Sequence, residues 1–232
     1  PIQGLLRTNS YFMCGRYTLA KPLKSIESHF GPLHINLEYR PSYNIAPNQL
    51  SPVVINNSQQ RELTTMKWGL VPSWAKDVKM KFINARSETA HEKPSFKSSL
   101  RSKRCLIPTD GFIEWRGTEK QPYYIYLKDQ ALFAFAGLWS TWNNPKGVSL
   151  NTYSILTTAA NEKLTPIHER MPVILPSEKY ESWLAPDSGL DALRGLLTSY
   201  PSGELGFHPV SKEVNQVSES TNSKELLRSV IL

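Results

Sequence analysis

The sequence predicts an α+β domain arranged around an antiparallel or mixed sheet. Three observations carry this expectation. Runs rich in β-branched and aromatic residues crowd the middle of the chain. Short segments with helical spacing fall towards both ends. The two kinds do not alternate regularly, as a parallel sheet built from strand–helix–strand units would require.

Taken in order, Gly15-Arg16-Tyr17-Thr18-Leu19 reads as a first strand, and Pro22 opens a helix in which Leu23, Ile26 and Phe30 share one face. From 31 to 47 the prolines remove backbone donors, so irregular structure is expected. Residues 49–55 and 62–68 form a hairpin about a turn at Asn56-Asn57-Ser58. The loop Gly69-Leu70-Val71-Pro72-Ser73-Trp74 leads to a basic patch between Lys76 and Lys81, and a short helix is expected over 95–103. Strand-forming runs follow at 105–108, 111–115, 123–127, 132–139 and 153–158. Helices return over 177–184, with Ser177 as the cap and Tyr180 and Leu184 on one face, and over 188–197.

With 232 residues and 40% hydrophobic content the chain can bury a full core, and no linker or repeat divides it. The expected organisation is a leader over 1–13, absent from or removed in the mature protein, then one domain over 14–232 with a mobile C-terminal tail. The leader lacks the apolar region of a secretory signal, and no stretch approaches the ~20 apolar residues of a spanning helix. Two cysteines, Cys14 and Cys105, are expected as reduced thiols in a cytoplasmic monomer. Neither zinc-ligand spacing nor a phosphate-cradling glycine motif is present, so no metal or cofactor is expected. A net charge of +7 is compatible with a polyanionic partner and equally with a solvated basic face.

Met13-Cys14 is the first chemical feature. A chain translated from Met13 would mature with Cys14 at its N-terminus. An α-amine titrates at ~7.7–8.0 against ~10.4 for lysine, so far more of it is nucleophilic at neutral pH. The adjacent thiol is a second nucleophile. An aldehyde meeting this pair forms an imine with the amine and then a thiazolidine with the thiol. Read alone, the dipeptide favours Cys14 as a small apolar residue at a strand start.

Asn84 and Arg86, two apart, share one side of an extended segment. Asn84 could orient a sugar or amine and Arg86 could hold a phosphate, or both belong to a polar loop. Glu114 lies in an otherwise buried strand between Ile113 and Trp115. Burial would raise its pKa towards proton-transfer use, unless it faces solvent or pairs with an arginine. His168 and Arg170 stand between Pro166 and Pro172, the histidine able to shuttle protons and the arginine able to bind phosphate. Trp68, Pro72 and Trp74 beside the basic patch suit base stacking, with core packing the alternative for Trp68.

The ordered set Met13-Cys14-Gly15-Arg16-Tyr17, Arg40-Pro41-x-Tyr43-Asn44-x-Ala46-Pro47, Trp68-Gly69-Leu70-Val71-Pro72-x-Trp74, Asn84-Ala85-Arg86-x-Glu88, Arg104-Cys105-Leu106-Ile107-Pro108, Asp110-Gly111-Phe112-x-Glu114-Trp115, Ala136-Gly137-Leu138-Trp139 and Ile167-His168-x-Arg170-Met171-Pro172 resembles the SOS response-associated peptidase (SRAP) family. The resemblance implies a β-rich single domain with a bifurcated or barrel-like mixed or antiparallel sheet and peripheral helices. It implies that Cys14 is the nucleophile that crosslinks to abasic sites in single-stranded DNA. Asn84 would position the reacting group, Glu114 would transfer protons, and His168 would stabilise the opened sugar and act as acid. Arg86 and Arg170 would hold backbone phosphates, Arg16, Asn44 and Pro47 would line the site, and Trp68, Pro72 and Trp74 would form a wedge. The implied setting is damaged DNA at stalled forks, with a nucleoid association when bound. A thiol peptidase acting through Cys14 and a non-covalent single-strand binder are the alternatives from other classes. Family members expose the cysteine directly after Met, whereas Pro1 to Phe12 precede Met13 in this sequence.

Overall fold

Residues 14–57 and 60–232 are described by the computed structural model, so the expected leader and the end of the expected Asn56-Asn57-Ser58 turn lie outside the described residues. The strands are β1 (Arg16–Leu19), β2 (His34–Asn36), β3 (Ser42–Ile45), β4 (Leu50–Asn57), β5 (Gln60–Trp68), β6 (Asn84–Arg86), β7 (Arg104–Thr109), β8 (Gly111–Arg116), β9 (Gln121–Leu127), β10 (Phe133–Asn143), β11 (Ser149–Ala159), β12 (Arg170–Pro172), β13 (Ile174–Leu175) and β14 (Leu205–Pro209). Among the described residues four short α-helices join them: α1 (Leu23–Phe30), α2 (Lys97–Ser102), α3 (Tyr180–Leu184) and α4 (Leu190–Gly195).

An antiparallel sheet runs β14-β9-β8-β1-β3. The other runs β12-β11-β10-β7-β4-β5-β2, and a short parallel pairing of β5 with β11 closes β11, β10, β7, β4 and β5 into a mixed barrel. Closure satisfies the strand edges that an open sheet would leave unpaired. The α+β, barrel-like expectation is therefore met.

Aromatic side chains knit the two sheets. Tyr17 of β1 packs edge-on against Trp68 of β5 and Phe135 of β10, and Phe112 of β8 packs against the same Phe135. All four are fully buried, and such pairs add to the hydrophobic gain of burial. Where β5 ends, Gly69 adopts φ 127°, a conformation open to glycine, and turns the chain towards Trp74.

Several expectations need correction. The proline-rich stretch over 31–47 is not irregular throughout, because it holds β2 and β3. β3 is an edge strand, where only one side has to supply ladder hydrogen bonds, so Pro41 and Pro47 can flank it. Ser177 makes no side-chain cap; it starts a 3-10 turn, Ser177–Lys179, that runs into α3. The helix expected over 188–197 contracts to α4.

Along β8 alternate residues face opposite ways: Phe112 joins the main core while Ile113 packs with Val210, Val214 and Leu226. The segment after β14 thus straps across the second face of the antiparallel sheet. Asn44 ties it down, its Nδ2 donating to the carbonyls of Val214 (3.1 Å) and Gln216 (3.0 Å).

Candidate functional site

Pairing of β1 with β8 sets Arg16 opposite Ile113, so the residues just before β1 lie against the C-terminal half of β8. Parity places Glu114 on the core side with Phe112, and only 2% of it is exposed. Its Oε1 accepts a hydrogen bond from the backbone nitrogen of Cys14 at 2.7 Å. Burial pushes the Glu114 carboxyl up to about 8; hydrogen bonds from the Cys14 and Trp115 backbone pull the other way and do not offset it. Burial, with Glu114 adding to it, pushes the Cys14 thiol well up. Cys14 and Cys105 are both free and buried.

A cleft of about 660 Å³ opens beside this pair. Gly15, Arg16, Pro47, Asn48, Lys81, Ile83, Glu114, Trp115, Lys120, His168 and Asn215 line it. Cations outnumber the single carboxylate, and Lys81 is held by Asn48 through Nζ–Oδ1 at 2.6 Å. The Arg16 guanidinium lies 6.0 Å from the Trp115 ring, and its Nη1 donates to the Gly15 carbonyl at 2.7 Å. Its buried Nε has no partner among the described residues.

His168 enters from the loop before β12. Its Nδ1 lies 3.1 Å from the Arg170 backbone nitrogen and 3.2 Å from the Arg170 carbonyl. One partner suits a bare Nδ1 and the other a protonated one, so either tautomer is accommodated. His168 itself lines the cleft.

The other expected residues fall into separate places. Asn84 is half-buried at the start of β6, beside Ile155 and directly after the cleft-lining Ile83. Arg86 on β6 and Arg170 on β12 flank β11. Arg170 is not free: it makes a two-pronged ion pair with Glu88 and donates to the Thr157 carbonyl at 2.7 Å. Arg170 first, and Arg86 more weakly, hold the Glu88 carboxyl below its ordinary value. Asn44 is buried under the C-terminal strap and does not line the cleft. Pro47 does line it.

Trp68 is fully buried, its indole N–H donating to the Ile83 carbonyl at 2.8 Å, so it has no face to offer a base. Pro72 is buried too, whereas Trp74 is 54% exposed, and both line a smaller hollow with Pro94 and Ser98. Sequence reasoning did not single out Asn48, Lys120 or Asn215 for the site, and it named Lys81 only within a basic patch and Trp115 only within a motif. No local signal marks Asn215, which reaches the cleft because the strap folds back. Among the described residues no helix is long and apolar enough to cross a membrane, and no group of three or more His, Cys, Asp or Glu side chains could hold a metal.

Fold and cleft together define a class: a mixed β-barrel domain whose buried cysteine and carboxyl meet beside a cation-lined cleft. The chain belongs to the SOS response associated peptidase (SRAP) family, whose model matches residues 13–217. It is 45% identical over 225 residues to the abasic site processing protein YoqW of Bacillus subtilis (strain 168), covering 94% of this chain and all of that one. It is 37% identical over 219 residues to the abasic site processing protein HMCES of Gallus gallus, covering 79% of this chain and 65% of that one. A crystal structure of a Bacteroides thetaiotaomicron protein superposes with a TM-score of 0.85 at 27% identity, covering 94% of this chain and all of that one.

Proposed function

We propose that this protein processes abasic sites in single-stranded DNA by capturing their aldehyde covalently on Cys14. The reading is supported by relatives named for abasic site processing at 35–45% identity, and one observation carries its chemistry: the Cys14 nitrogen rests on the buried Glu114 carboxyl at the edge of a cationic cleft.

The reaction requires that nitrogen as a free amine, hence a chain that begins at Cys14. The amine attacks the aldehyde carbon of the ring-opened deoxyribose, forming a C–N bond and a carbinolamine. Glu114, its carboxyl pushed up by burial, gives a proton to the departing hydroxyl; water leaves, and the iminium nitrogen returns a proton to Glu114 as the imine forms. Sγ then adds to the imine carbon while the thiol proton passes to nitrogen. The product is a thiazolidine, one water lighter than its reactants. His168 is suited to protonate the sugar oxygen during ring opening. Asn84 would orient the reacting group, Arg16 and Pro47 would line the bound strand, and Arg86 and Arg170 would meet its phosphates. Trp74 and Pro72 would form the wedge, without Trp68. DNA at stalled forks is the natural setting for such a shield.

A thiol peptidase needs a thiolate, and the surroundings of Cys14 disfavour that form. The deciding experiment incubates protein beginning at Cys14 with single-stranded DNA carrying an abasic site, followed by a denaturing gel. A retarded band that survives denaturation is expected. It should vanish with Cys14→Ser and with any residue left in front of Cys14; a band that persists in either case refutes the mechanism.

A further inference from the structure

Asn215 ends the 3-10 turn Lys212–Asn215 of the C-terminal strap and lines the cleft beside Arg16 and Trp115. Its Oδ1 accepts the indole N–H of Trp115 at 3.0 Å. An indole nitrogen only donates, so the amide oxygen must face Trp115 and the amide cannot be turned around. The Asn215 NH2 is therefore directed away from Trp115.

The backbone under it is pinned on both sides. Val214 is buried, and Asn44 grips the carbonyls of Val214 and Gln216. Arg16 leans on the same residue, its Nη2 3.5 Å from the Asn215 carbonyl, while its buried Nε lacks a partner among the described residues. Two kinds of donor thus meet on one wall, one cationic and one neutral. Paired donors of this sort suit a phosphate oxygen.

We propose that Asn215 is a substrate-contacting residue, donating a hydrogen bond from its Nδ2 to a phosphate oxygen of the strand that Arg16 also holds. This rests on the reading that the cleft takes a DNA strand, but not on the covalent step.

The test measures binding of an intact single-stranded oligonucleotide to the full chain by fluorescence anisotropy, alongside crosslinking to an abasic strand. Asn215→Ala should raise Kd on the order of tenfold, as loss of a hydrogen bond to a charged acceptor predicts. Asn215→Asp keeps an acceptor for Trp115 but sets a carboxylate against the phosphate, so it should bind more weakly still. Gln216→Glu adds the same charge one residue away on an exposed side chain and should change Kd less than about twofold. Near-native affinity for Asn215→Asp, or a loss no greater than that of Gln216→Glu, would reduce Asn215 to a prop for Trp115 and overturn the proposal. Native protein that binds the intact strand but forms no crosslink would defeat the covalent reading and leave this one standing.

Discussion

The backbone nitrogen of Cys14 and the Oε1 of Glu114 lie 2.7 Å apart although a hundred residues separate them in sequence. The contact places a proton-transfer group on the nitrogen that the proposed chemistry uses, without lowering the pKa of the thiol. Glu114→Gln preserves shape and a hydrogen-bonding oxygen but cannot donate an acidic proton. Single-turnover crosslinking should slow by on the order of 100-fold, the lower range for general acid–base catalysis. Anisotropy with an undamaged strand should change less than about twofold. Parallel losses in both measurements would assign Glu114 to structure alone.

The same carboxyl sets a pH dependence. Burial raises Glu114 to about 8 in the fold, against ~4.3 in an unfolded chain. The folded state holds the proton more tightly, so its contribution to stability is full below about pH 4, is lost as pH rises towards 8 and is constant above. In a chain whose Cys14 nitrogen is an amide, the melting temperature of Glu114→Gln minus that of the native protein should therefore widen across this interval and then level off. In a chain that begins at Cys14, the ammonium beside the carboxyl should shrink the widening. Calorimetry across that range reads both. A gap that narrows with rising pH in the amide form would mean that Glu114 is charged and paired there.

Much of this fold is legible in the sequence because strand-forming runs are local: β4, β5 and the strands from β7 to β11 fall on the expected segments to within a few residues. β3 and β14 escape notice because an edge strand needs little hydrophobic patterning of its own. The barrel-like closure is expected only through the family resemblance, because the β5–β11 pairing that makes it rests on two residue pairs across a long sequence separation. At the site, Cys14, Glu114 and His168 announce themselves by chemical type within ordered motifs. Asn48, Lys120 and Asn215 are ordinary residues that only the fold gathers. Trp68 shows the limit from the other side, since an aromatic beside lysines reads alike whether it points inward or out. Strand parity decides it, turning Met66 and Trp68 to the buried face.

Glu88 restrains Arg170, and that pairing makes the role of the arginine testable in two directions. The Glu88 side chain is about half exposed, so the ion pair should contribute little to folding. Glu88→Gln should release Arg170 and the nearby Arg86, tightening single-strand binding a few-fold at low salt. Arg170→Ala should weaken binding and flatten the dependence of log K on log salt by roughly 0.7, one phosphate contact on a single strand. Anisotropy titrations over a series of salt concentrations measure both. If Arg170→Ala lowers the melting temperature yet leaves the salt slope intact, its bonds to Glu88 and Thr157 are its whole function.

Trp68 and Trp74 sit six residues apart and should respond oppositely to truncation. Trp68 is fully buried against Tyr17 and Tyr153, so Trp68→Ala should cost about 3–5 kcal/mol of stability. Trp74 is 54% exposed, its indole N–H reaching only the Pro94 carbonyl at a long 3.4 Å. Trp74→Ala should leave the denaturation midpoint nearly unchanged. If a base stacks there, the same variant should lose about 1–3 kcal/mol of single-strand affinity, and Trp74→Phe should recover part of it because another flat ring can still stack. Urea denaturation and anisotropy separate the two residues. Unchanged affinity in Trp74→Ala would remove the last tryptophan from the wedge and leave strand separation to the lysines that follow it.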